Sequence, residues 1–128
     1  MKNLTLLLLL ITTGFFATSS NAQTQIKDNA KGIVSVRGPE FKKLINDKVG
    51  VLIDVRTSGE YAAGNIKGSS LITIDGNFTK NIEKLDKNTP VLVYWRSGKR
   101  SYKAAQILKS KGFITIYNLS GGFRTWQY

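Results

Sequence analysis

The sequence predicts an α/β domain: a mostly parallel sheet of five strands with helices on both faces. Short β-prone runs alternate with segments whose apolar residues recur at helical spacing. The runs Val51-Leu52-Ile53 and Val91 to Trp95 are continuously apolar, as strands covered on both faces are. Such alternation implies right-handed crossovers and therefore parallel pairing. A chain of 128 residues with 41% hydrophobic residues is long enough for one such core and too short for two ordinary domains.

Taken in order, Ile33-Val34-Ser35-Val36 reads as the first strand. Gly38-Pro39-Glu40 then punctuates the chain before Phe41, Leu44 and Ile45 mark a helix. The second strand, Val51 to Ile53, runs into polar Asp54-Val55-Arg56, and a short helix from Ser58 to Ala63 stops at Gly64. Leu71 to Ile74 is the third strand. Phe78, Ile82 and Leu85 define the next helix, which ends before Asn88-Thr89-Pro90. Val91 to Trp95 is the strongest strand signal. Ser101 to Lys111, with Ala104, Ala105, Ile107 and Leu108 on one face, is the strongest helix. Ile114 to Leu119 alternates as the last strand, and Gly121-Gly122 leads to a short segment around Trp126.

The N-terminal residues stand apart from this pattern. Met1-Lys2 is a short basic start, Leu4 to Ala17 is almost uncharged and apolar, and Ser20-Asn21-Ala22 offers the small residues a signal peptidase reads. Residues 1–22 are expected to be a signal peptide cleaved after Ala22, residues 23–31 a polar lead-in, and residues 32–128 the domain. The unbroken apolar core, Leu6 to Ile11, is short for a membrane span, which needs about 20 apolar residues. Export to a periplasm or the exterior, with no stable span after cleavage, is therefore the expectation.

Cysteine and histidine are both absent. Disulfides, thiolate catalysis and thiolate metal sites are excluded, and the 8 acids show no ligand spacing, so neither metal nor other cofactor is expected. Lys plus Arg number 19, giving a formal charge of +11. Most of these cations are spread along helices and loops as a solvated face would be, and no nucleic acid is expected as a partner.

In open parallel sheets, ligands gather at the carboxyl ends of strands. The informative turn there is Trp95-Arg96-Ser97-Gly98-Lys99-Arg100, with Ser101 opening the helix behind it. Such a loop can aim successive backbone N–H groups and a helix dipole into one concavity, Gly98 supplying unusual backbone angles and Arg100 a charged fork. On spacing alone it reads equally as an anion cradle or as an ordinary basic connector.

Four segments in sequence break the tie: Asp54-Val55-Arg56; Glu60-Tyr61-Ala62-Ala63-Gly64-Asn65-Ile66-Lys67-Gly68; Val91 through Ser101; and Leu119-Ser120-Gly121-Gly122-Phe123 with Trp126. In this order they resemble the rhodanese-like domain, over nearly all of the chain after residue 22. The resemblance implies an active loop of the form C-R-S-G-x-R. In active members its cysteine takes sulfur from a donor and holds it as a persulfide, stabilised by loop N–H groups. Three departures follow. Trp95 stands where the sulfur-carrying cysteine is expected, Asn65 replaces the histidine of the usual G-H-I segment, and Lys67 replaces a frequent proline.

Trp95 removes the reaction, since an indole has one N–H donor and no accessible ionisation. Ser97, with no histidine to activate it, is a poor substitute nucleophile. Trp95 either fills the space a substrate would use, the favoured reading, or serves as an aromatic platform beside a basic loop. Asp54 and Arg56 are expected to form a structural pair at the strand end, Arg100 to be the main anion contact, and Arg96 and Lys99 to be rim charges. The expected function is a binding module for small oxyanions (thiosulfate, sulfate, phosphate) or for a protein. The alternative is a thiosulfate sulfurtransferase whose cysteine was replaced at Trp95 by mutation, engineering or sequence error. Tryptophan and cysteine codons differ only in the third base.

Overall fold

The computed structural model describes residues 27–30 and 32–128. The expected signal peptide and most of the expected lead-in lie outside the described residues. Among the described residues six strands form one sheet: β1 (Lys27–Ala30), β2 (Ile33–Val36), β3 (Val51–Asp54), β4 (Ser70–Leu71), β5 (Val91–Tyr94) and β6 (Ile116–Leu119), in the order β1-β2-β6-β5-β3-β4. The pairings from β2 through β4 are all parallel, as the crossover argument requires. Only β1, at the edge, is antiparallel; it pairs with β2 from within the segment read as lead-in.

The helices are α1 (Gly38–Asn46), α2 (Ser58–Ala63), α3 (Phe78–Ile82) and α4 (Gly98–Ser110), followed by a 3₁₀ turn over Phe123–Thr125. Pro39 opens α1, where its missing N–H costs nothing. Thr57 and Glu60 form a reciprocal capping box on α2.

Alternation of side chains along the strands splits the core in two. On one face Ile33, Ile53, Val91, Val93 and Ile116 pack with Phe78 and Ile82 of α3 and Ala104, Ala105 and Leu108 of α4. On the other, Val36, Leu52, Leu92, Tyr94 and Leu119 pack with Phe41 of α1, with Phe123 and Trp126 against them. The small side chains of Ala104 and Ala105 are fully buried, which lets α4 lie close on the sheet and fixes where its N-terminus emerges.

Two boundaries differ from expectation. The third strand covers only Ser70–Leu71; beyond it the Ile72 N–H still donates to Asp54 O (2.9 Å) and the Ile74 N–H to Val55 O (3.1 Å), so the chain follows β3 without a regular ladder. More consequentially, α4 starts at Gly98, three residues before Ser101, with Ser97 as N-cap.

Candidate functional site

The carboxyl ends of β3 and β5 are tied together by a buried polar cluster. Asp54 is fully buried and Arg56 is 4% exposed. The guanidinium approaches the carboxylate side-on: Arg56 Nε donates to Asp54 Oδ1 and Oδ2 (both 3.0 Å) and Nη2 to Oδ2 (2.7 Å). The Arg56 N–H adds a bond to Oδ1 (2.9 Å), closing a tight turn, and Nη2 also donates to Gly64 O at the end of α2 (2.5 Å). The face of the guanidinium rests on Phe123, 4.1 Å from the ring centroid. Burial disfavours the Arg56 cation, but the hydrogen bond and charge of Asp54 outweigh that and hold its pKa above the ordinary arginine value.

Tyr94 closes the cluster from β5. Its hydroxyl accepts from the Ile66 N–H (3.0 Å) and donates to Ser69 Oγ (3.0 Å). Burial, reinforced by nearby Asp54, pushes its pKa up to about 12, against the opposing hydrogen bonds with Ser69 and Ile66. Asn65 lies beside this cluster and donates to Tyr61 O (3.0 Å), so it anchors the end of α2. Asp54 and Arg56 thus form a buried ion pair at the end of β3.

Trp95 follows β5 directly and is 7% exposed, its side chain part of the apolar layer under α3 and α4. Arg100 lies over the ring at 4.3 Å from the centroid, and Arg96 flanks it at 5.7 Å. Both distances are within cation–π range. The backbone here is clamped by the C-terminal turn: the Phe123 N–H donates to Trp95 O (2.7 Å) and the Arg124 N–H to Arg96 O (3.2 Å). A side chain at Gly122, where φ is +65°, would meet Arg96 O at 2.6 Å, so only glycine lets the two segments approach.

The loop expected to act as one cradle is divided by the early start of α4. Gly98, Lys99 and Arg100 form the helix's first turn, whose N–H groups have no intrahelical acceptor. Ser101 is fully buried and turns away, its hydroxyl set between Gly98 O (3.1 Å) and Asn118 Oδ1. Gly98 does not take the unusual backbone angles expected of it. A Cβ there would lie 3.0 Å from Gly121 N, so its role is close packing.

Trp95, Arg96 and Arg100 share one side of the loop. Ser97, Gly98 and Lys99 instead line a cleft of about 910 Å³ outside the carboxyl ends of β2 and β6. There they meet residues that no motif marked: Arg37, Asn118 and Arg124. Asn118 had left a signal, a polar residue within an otherwise apolar terminal strand; it is 3% exposed. Arg37 directly follows a recognised strand and Arg124 lies two residues after the glycine pair, but only the fold brings them together.

Among the described residues no helix is long and apolar enough to cross a membrane, and no cluster of acids could hold a metal ion. The chain is thus a parallel α/β domain with a basic strand-to-helix loop at the carboxyl edge of its sheet, where ligands of open α/β sheets gather. Residues 38–128 match the rhodanese-like domain family, and the chain belongs to it. It is 35% identical over 89 residues to the thiosulfate sulfurtransferase GlpE of Pseudomonas fluorescens (strain SBW25), covering 70% of this chain and 81% of that protein. It is also similar to a rhodanese-like domain protein from Staphylococcus aureus, with a TM-score of 0.66 and 31% identity over 73% of this chain and 90% of that one. The human single-domain sulfurtransferase TSTD1 superposes with a TM-score of 0.61 at 27% identity, covering 72% and 93% of the two chains. With no cysteine anywhere, the chain lacks the group that family sulfur transfer requires.

Proposed function

We propose that the protein is an exported rhodanese-like domain that has lost sulfur transfer and acts as a binding module for anionic groups, on small oxyanions or on a protein. In this reading Trp95 stands at the position of the family's sulfur-carrying cysteine. The supporting observation is the burial of the indole beneath Arg100: the ring fills the volume a substrate would use, and the cation that would grip an anion rests on its outer face. Small anions are excluded from beneath the ring, and Arg96, Lys99 and Arg100 remain as outward charges.

The test is titration of Trp95 fluorescence with thiosulfate and sulfate in a Trp126→Phe background, which leaves one indole. Occupancy predicts no saturable change. A saturable change that Arg100→Gln abolishes would show that the loop still closes on a small anion beside the ring.

A further inference from the structure

The cleft outside β2 and β6 gathers positive charge from three elements: Arg37 at the end of β2, Lys99 in the first turn of α4, and Arg124 in the C-terminal 3₁₀ turn. No acidic residue lines it. The ion pairs among the described residues are Lys43–Asp47 and Arg56–Asp54, so none of the three cations is neutralised by an acid there. A cleft walled by one sign of charge concentrates field and raises the local concentration of counter-ions.

Two serines bring hydroxyl groups to the cleft, Ser35 and Ser97. Ser97 occupies the N-cap of α4, yet its side chain makes no cap hydrogen bond. The usual use of a serine there is therefore forgone. Ser35 Oγ accepts from Asn118 Nδ2 (3.2 Å), and its O–H remains available to a ligand. Asn118 is fully engaged, since Nδ2 also donates to Gly98 O (3.4 Å) and Oδ1 accepts from Ser101. The cleft floor is thus fixed by a buried amide tying β2, β6 and α4 together.

We propose that this cleft binds a small organic phosphate or sulfate ester, with Arg37, Lys99 and Arg124 on the oxyanion and the hydroxyl-rich wall on the ligand's body. Arginine forks match tetrahedral oxyanions better than point charges do. A volume of about 910 Å³ far exceeds a bare ion and falls among small-molecule sites, roughly 300–1,000 Å³. Tyr102 and Thr125, also on the wall, supply further polar contacts for a hydroxylated body. The inference rests on the binding-module reading, but it moves the anion contact from Trp95 and Arg100 to the opposite side of the loop.

The experiment is calorimetric titration of the purified protein with glucose 6-phosphate, glucose 6-sulfate, inorganic phosphate and glucose. At least one ester binds, more tightly than inorganic phosphate, glucose does not bind, and the tighter ester identifies the oxyanion. Arg37→Gln and Arg124→Gln, both at exposed positions, each weaken ester binding by about tenfold, and Arg100→Gln weakens it far less. Wild-type affinity in both the Arg37 and Arg124 variants overturns the proposal. Loss of binding in Arg100→Gln instead also overturns it, while leaving a binding module centred on Trp95. Tighter binding of a short poly-aspartate peptide than of either ester overturns it in favour of a protein ligand, and the absence of any anion binding removes both readings.

Discussion

Replacing Arg56 by methionine should strongly destabilise the domain. The substitution keeps most of the aliphatic volume and removes the cation from a fully buried carboxylate. Asp54 then loses three side-chain hydrogen bonds and keeps the backbone one from residue 56. The Gly64 carbonyl loses its donor, and Phe123 its stacked guanidinium. Breaking a buried pair from one side costs about 3–5 kcal/mol; the surviving backbone bond places Arg56→Met near the lower end, about 3 kcal/mol. Urea denaturation monitored by tryptophan emission measures it, the midpoint moving while the slope stays constant. The double variant Asp54→Leu/Arg56→Met removes the stranded charge and should recover much of the loss. A cost below about 1 kcal/mol for Arg56→Met, or a double variant no more stable than the single, would refute the view that this pair is buried and mutually dependent.

Two further outcomes can be checked, one from the structure and one from the sequence. Tyr94 holds its proton to about pH 12 in the folded state, whereas an unfolded tyrosine ionises near pH 10. Its contribution to stability is therefore fully present below pH 10 and is lost as pH rises through the folded value, by about 2–3 kcal/mol. Stability curves of wild type and Tyr94→Phe should diverge in slope between pH 10 and 12, and parallel curves would contradict the assignment. Export with cleavage after Ala22 predicts that the protein recovered outside the cytoplasm begins at Gln23; an intact mass that still includes Met1 would contradict it.

Much of the fold was legible because its signals are local. The apolar triplets of β3 and β5 announce burial on both faces, and Pro39, Gly64 and Gly112 punctuate the helices where sequence rules place them. Strand β1 was missed because Lys27-Asp28-Asn29-Ala30 has no β-prone pattern; pairing with the edge of β2 defines it. The start of α4 is not legible because Gly98-Lys99-Arg100 reads as a loop, although Ser97 is a residue type that favours an N-cap. Of the candidate site, Asp54 and Arg56 were legible as a pair because they lie two residues apart at a strand end. The cleft was not. Arg37, Lys99 and Arg124 are distant in sequence, and their convergence depends on the parallel order of β2, β6 and β5.

The proposed replacement of the family's sulfur-carrying cysteine by Trp95 is open to a direct chemical test. It is tested most directly by mass spectrometry of Trp95→Cys after incubation with thiosulfate, beside the wild-type protein. A thiolate at the N-terminal end of α4 should have a lowered pKa and accept sulfur. The account predicts a mass gain of one sulfur atom on residue 95 of the variant, discharged by cyanide, and no gain in wild type. A correctly folded Trp95→Cys protein that forms no persulfide, or a wild-type protein that transfers sulfur, would contradict it.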